Sequence, residues 1–183
     1  MTNTLTVDQL QELLQIQKEF DDRIPTKNPK DTHKAYVEEF FEWYNTIEPF
    51  KNWKKNKGKP FEEQLDELAD MLAFALSYSL MSIGFDENGF KYFFSKIPKL
   101  SHQYLLLANI LDVDVDVEEV YGRIGDADIN DILNLMREVD LVLPFKIAIQ
   151  YYTIDDLIAA YKKKMERNHA RQDGTADKEK GYV

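Results

Sequence analysis

Apolar residues recur along much of the chain at the three-to-four-residue spacing of helices buried on one side. Leu10, Leu13, Leu14, Gln17 and Phe20 follow it, with Ile16 beside them. Thr6 with Gln9 three residues on reads as a capping box at the start of this first helix. The polar, two-proline stretch 21–29 reads as a loop. Asp31 or Thr32 is placed to cap a second helix, with Tyr36, Val37, Phe40, Phe41, Tyr44 and Ile47 among its apolar members, and Pro49 ends it. The strongest pattern runs from Phe61 to about Ile83. Leu65, Leu68, Leu72 and Leu76 form a stripe, acids are confined to the first half, and the second half is apolar almost all round, as for a helix packed among others.

The pattern changes over 84–142. Residues 111–117 (LDVDVDV) alternate with period two and predict a short strand or extended piece, and 128–140 again reads as helical. We expect 84–142 to be an insertion or lobe on a core built from 1–83 and 143–183, all in one domain. Pro144 opens another apolar segment, and Thr153 with Asp156 caps a last helix reaching about His169. The polar tail from Arg171 is expected to be mobile unless something binds it.

Composition sharpens this. Seven glycines and six prolines in 183 residues suit a helical protein better than a turn-rich β sandwich. The absence of cysteine removes disulfides, thiolate catalysis and zinc or iron–sulfur sites built on thiolates. No apolar stretch is long enough to span a bilayer and the start lacks the features of a secretory signal, so a soluble cytoplasmic protein is expected. The net charge of −10 argues against general binding to nucleic acid or to a membrane surface. Residues 84–142 hold twelve acids against five bases and carry −7 of that charge.

Two acidic motifs carry chemistry. Glu39 and Glu42 form ExxE on the second predicted helix, and Glu67 and Asp70 form ExxD on the third. Residues three apart share a helical face, so each helix presents two carboxylates in one direction. If the faces meet, the repulsion and desolvation of four acids call for a hard divalent cation, and all-oxygen ligands favour Mg²⁺ or Mn²⁺. A solvated acidic stripe is the plain alternative. A ferritin-like di-iron centre needs two Glu-x-x-His pairs, and of His33, His102 and His169 only His169 follows a Glu, Glu166, at that spacing.

At the other end Lys164, Asn168 and Arg171 fall on one helical face, suited to phosphate oxygens, although basic residues also favour helix C-termini for the dipole alone. Asp112, Asp114 and Asp116 imitate an EF-hand start, but Val117 stands where Gly is needed and Arg123 where Glu is needed. The five lysines from Lys51 to Lys59 and their Trp53 make a poor platform for nucleic acid on so acidic a chain. They suit a cap over one triphosphate better.

Together these motifs resemble the dimeric, all-α dUTP pyrophosphatases, relatives of the MazG-type nucleotide pyrophosphohydrolases, with ExxE and ExxD helices in that order. The family's LQ-x-x-L-N resembles residues 16–21, with Asp21 in place of Asn. Its PWKWWK loop resembles 49–54, and its ELTDILHF resembles 67–74, with Ala73 in place of His. Its C-terminal pattern resembles Tyr161, Lys164, Asn168, Arg171, Gln172, Gly181 and Tyr182. Matched segments cover 10–83 and 144–183.

The resemblance implies a helical bundle of the all-α NTP pyrophosphohydrolase type with a helical insertion. It implies Mg²⁺-dependent cleavage of dUTP to dUMP and pyrophosphate. Glu39, Glu42, Glu67 and Asp70 would hold the metal, with Glu42 or Glu39 as general base. Lys164, Asn168 and Arg171 would grip phosphate, helped by Lys54 and Lys180. Gln17 would read the base, Phe74 would stack on it, and Asp21 and Trp53 would complete the nucleoside site. A homodimer is also implied, and phage-encoded relatives double as ligands of repressor proteins. Two other readings stand beside the dUTPase. One is an acidic protein binding a DNA-binding repressor through 84–142, and the other is a pyrophosphatase for another nucleotide.

Overall fold

Local capping decides where the helices begin. In the computed structural model, which describes residues 5–83 and 123–180, Thr6 and Gln9 form the expected capping box on α1 (Val7–Asp21). The second helix, α2 (Pro29–Ile47), starts earlier than expected. Asn28, and neither Asp31 nor Thr32, is its cap, accepting from the Asp31 backbone N–H at 3.0 Å. Pro29 belongs to the first turn because that turn has no use for the N–H that proline lacks. At the other end Glu48 takes a left-handed conformation with φ 52°, one residue before Pro49.

The third helix, α3, spans Phe61–Ile83 as its pattern predicts. The helix expected over 128–140 is shorter: α4 is Ile129–Leu135, capped by Asp128, and the chain turns after Met136. Two more helices follow, α5 (Leu143–Tyr151), with Pro144 in its first turn, and α6 (Ile154–Gln172), with the expected Thr153–Asp156 capping box. Among the described residues there is no strand, and the protein is all-α. The alternating segment 111–117 lies outside them.

The central element is α3. It packs along α2 most extensively, then α6, and also meets α1 and α5. Trp43, Tyr36 and Phe40 of α2, Tyr161 of α6 and Phe145 of α5 are fully buried in one core together with Leu68, Met71 and Leu72 of α3. Trp43 keeps its indole N–H satisfied by donating to the Tyr152 hydroxyl at 3.0 Å, which donates in turn to Gln64 Oε1 at 2.7 Å. Of the stretch 84–142, the part from Arg123 onward packs on this core. Ile124, Ile132, Met136, Leu141 and Val142 are buried, and Tyr36 donates to the Asp140 carbonyl.

The basic loop after α2 is fastened from within. Glu48 is buried and its carboxylate accepts from Lys51, Lys54 and the Gly58 backbone N–H. Gly58 has φ +91°, a conformation that other residues rarely adopt. The hydrogen bonds from Lys51 and Lys54 pull Glu48 down to about 2. The described part of the tail is also folded back: Asp177 accepts from both Arg167 and Arg171, the latter at 2.6 Å.

Candidate active site

The packing of α2 on α3 that buries Phe40, Leu68 and Leu72 in one core turns the neighbouring acids toward each other. One oxygen each from Glu39, Glu67 and Asp70 lies within 4.8 Å of the others. Glu42 is exposed at the edge of this cluster, and its charge acts on both Glu39 and Glu67. Burial pushes Glu39 up to about 8, and the charges of Asp70, Glu42 and Glu67 add to the effect. Burial likewise raises Glu67 and Asp70. Glu39 Oε2 is buried with no hydrogen-bond partner. An orphaned carboxylate oxygen facing two other acids at neutral pH needs either a proton or a cation. The donor set is all oxygen, which fits a hard divalent metal ion.

A protein cation already leans on the edge of the cluster. Lys164 Nζ on α6 donates to Asp70 and to Asp66, both at 2.6 Å. Its side chain is nearly buried, which lowers its proton affinity, but the two carboxylates outweigh that and leave it raised. Asp66 was not among the residues expected from sequence. It stands four positions before Asp70, so i,i+4 spacing on α3 was the available signal, and the ExxD reading passed over it.

From Asp70 a cleft of about 370 Å³ opens between α1, α2, α3 and α6. Gln17, Phe20, Asp21, Asp70, Phe74 and Asn168 are among its lining residues. Its volume lies in the range typical of small-molecule sites. Thus Gln17, Asp21 and Phe74, expected to touch a nucleoside, share one cavity with a member of the carboxylate cluster. Asp21 is 4% exposed and accepts from Gln17 Nε2 and Ser77 Oγ, each at 2.7 Å. Burial raises its pKa against these bonds. Tyr161 donates to Gln17 Oε1 at 3.0 Å.

The other expected residues sit elsewhere or are otherwise engaged. Trp53 is 73% exposed on its loop and does not line the cleft, and neither does Lys54, which is tied to Glu48. Arg171 donates to Asn168 Oδ1 at 2.8 Å as well as to Asp177. The Lys180 side chain, Gly181 and Tyr182 lie outside the description. No helix among the described residues is long and apolar enough to cross a membrane.

Comparison with known proteins gives one family. A family model described as dUTPase matches residues 9–175. No curated protein sequence matches significantly.

Proposed function

The chain belongs to the dUTPase family and hydrolyses dUTP, and on that premise we propose how its residues divide the work of producing dUMP and pyrophosphate. Glu39, Glu42, Glu67 and Asp70 would hold Mg²⁺, with Mn²⁺ as a substitute. Such an ion, when bound, neutralises phosphate charge and acidifies water. The proton of the attacking water passes to Glu39 or Glu42. Glu42 has the exposure to hand that proton to solvent.

Lys164, Asn168 and Arg171 grip the phosphate oxygens with charged and amide donors. Lys164 does so on leaving Asp66, and Lys54 contributes only on leaving Glu48. Lys180 completes this group. Gln17, Asp21 and Phe74 hold the nucleoside in the cleft, with Trp53 closing over it. The observation that carries this reading is continuity: Asp70 both lines the cleft and belongs to the carboxylate cluster. A ligand lying in the cleft therefore reaches the acids with one end.

The test is pyrophosphate release from a nucleotide panel with Mg²⁺, with and without chelator. We expect dUTP to be cleaved only with the metal. Intact dUTP in the presence of Mg²⁺ overturns the reading, and faster cleavage of dCTP or another nucleotide redirects it.

We also propose a homodimer, for which the exposed Ile129 and Leu133 of α4 offer an apolar face. A repressor partner would use the acidic stretch 84–142, where −7 of the charge resides. Because the part from Arg123 onward belongs to the core, the test is a pull-down with and without residues 84–122, and binding that survives that deletion excludes them as the contact surface.

A further inference from the structure

The cations expected to meet phosphate already hold acids of the chain itself. Lys54 is bound to Glu48, Lys164 to Asp66 and Asp70, and Arg171 to Asp177. These acids differ in how readily they can give way. Glu48 is buried and also accepts from Lys51 and the Gly58 N–H, so it fixes its loop. Asp66 and Asp70 are set within α3. Asp177 instead stands beyond α6, on the short tail that follows it.

The route of that tail brings Asp177 to the arginines. Gly174 takes φ 66° and the Thr175 N–H returns to the Ala170 carbonyl, so the chain doubles back along α6. Arg167 and Arg171 lie one turn apart on the same face of that helix. Asp177 meets them with φ 47°, a left-handed conformation that aspartate tolerates better than most residues. Its carboxylate accepts from Arg167 Nε and Nη2, both at 3.1 Å, and from Arg171 Nε at 2.6 Å. Paired N–H groups on paired oxygens are also how a guanidinium holds phosphate. The hydrogen bonds from Arg167 and Arg171 pull Asp177 down to about 2, so it stays charged at neutral pH. The contact adjoins the site. Arg171 donates to Asn168, which lines the cleft. Burial raises Asp70, and the charge of Arg171 is among the influences opposing it, so this guanidinium stands within electrostatic reach of the carboxylate cluster.

We propose that Asp177 is an internal stand-in for phosphate: it occupies Arg171 in the ligand-free chain, and an incoming phosphate group must displace it before that guanidinium can grip. The acid competes with substrate and product alike, so it weakens the binding of both and takes Arg171 back as the product leaves. This rests on the phosphate role given to Arg171 above.

The experiment measures Kd for inorganic pyrophosphate with Mg²⁺ by calorimetry in the wild type, Asp177→Asn, Arg171→Gln and the double variant, with a thermal melt of each ligand-free protein. Asn keeps the size, tolerates the left-handed backbone and drops the charge. Asp177→Asn should bind pyrophosphate about three- to ten-fold more tightly than the wild type, although its ligand-free form melts lower. A merely structural role for Asp177 loses affinity and melting temperature together, which overturns the proposal, as does an unchanged Kd. In the Arg171→Gln background Asp177→Asn should gain nothing. A gain that persists there does not come from freeing Arg171, and it overturns the proposal as well. If Arg171→Gln binds pyrophosphate as tightly as the wild type, or if none of the four proteins binds it, the phosphate reading itself fails. If Arg171→Gln weakens binding and Asp177→Asn does not tighten it, the phosphate site stands and only the stand-in fails.

Discussion

Glu39 gives the sharpest quantitative test. Its carboxyl stands at 4.5 when unperturbed and is pushed up to about 8 by burial and by the acids around it. The folded chain thus holds a proton that the unfolded chain releases between those two values. Stability is unaffected below about pH 4.5, falls as pH rises through the interval, and levels off above about 8. At roughly 1.4 kcal/mol per unit, the penalty in the metal-free protein at pH 7 is roughly 3 kcal/mol. The cluster titrates as one coupled set, so the figure belongs to the group rather than to Glu39 alone.

Glu39→Gln removes the ionisation and keeps the shape. For a chain of this size each kcal/mol is about 2–4 °C, so the metal-free variant should melt about 6–12 °C above the wild type at pH 7. Its advantage should vanish near pH 4.5. The assay is a melt series from pH 4.5 to 8.5 in chelator, repeated with Mg²⁺. Added Mg²⁺ should raise the wild-type melting temperature more at pH 8 than at pH 5, and the variant far less. A metal-free Glu39→Gln that melts no higher than the wild type at pH 8 refutes the reasoning.

Three further outcomes are expected. Glu67→Ala should abolish dUTP cleavage while leaving the helical circular dichroism unchanged, as should chelation of the wild type. Lys164→Met should lower the metal-free stability by about 1.5–3 kcal/mol in urea, since it strips the cation from Asp66 and Asp70, and Mg²⁺ should restore part of the loss; a loss that Mg²⁺ leaves untouched argues against a shared site. Thr153→Ala should cost about 1 kcal/mol in a urea titration, because it removes the capping box of α6, without changing the dUTP-to-dCTP ratio.

The helices and the carboxylate pairs were legible because both are written at short range. Spacing of three and four fixes which acids share a face, and Thr6–Gln9 and Thr153–Asp156 announce their caps within one turn. Asn28 was missed because Pro29 reads as loop until its place in a first turn is known. The fate of the lysines was not legible either. Lys54 and Lys164 are both basic residues in suitable patterns, yet one is bound to Glu48 and the other to Asp66 and Asp70. Those partners come from the folding of α2 into its loop and of α6 onto α3, which no local window contains. The Tyr161–Gln17–Asp21–Ser77 chain joins three helices and was invisible for the same reason.

Because α3 carries Glu67 and Asp70 near its beginning and Ser77 farther along, it works as a ruler for whatever molecule lies beside it. A residue gained or lost between Asp70 and Ser77 would swing one group about 100° away from the other, and no neighbouring helix could compensate for both. Length variation should therefore be tolerated in the loops of this protein and scarcely at all in that seven-residue interval, however apolar the replacement.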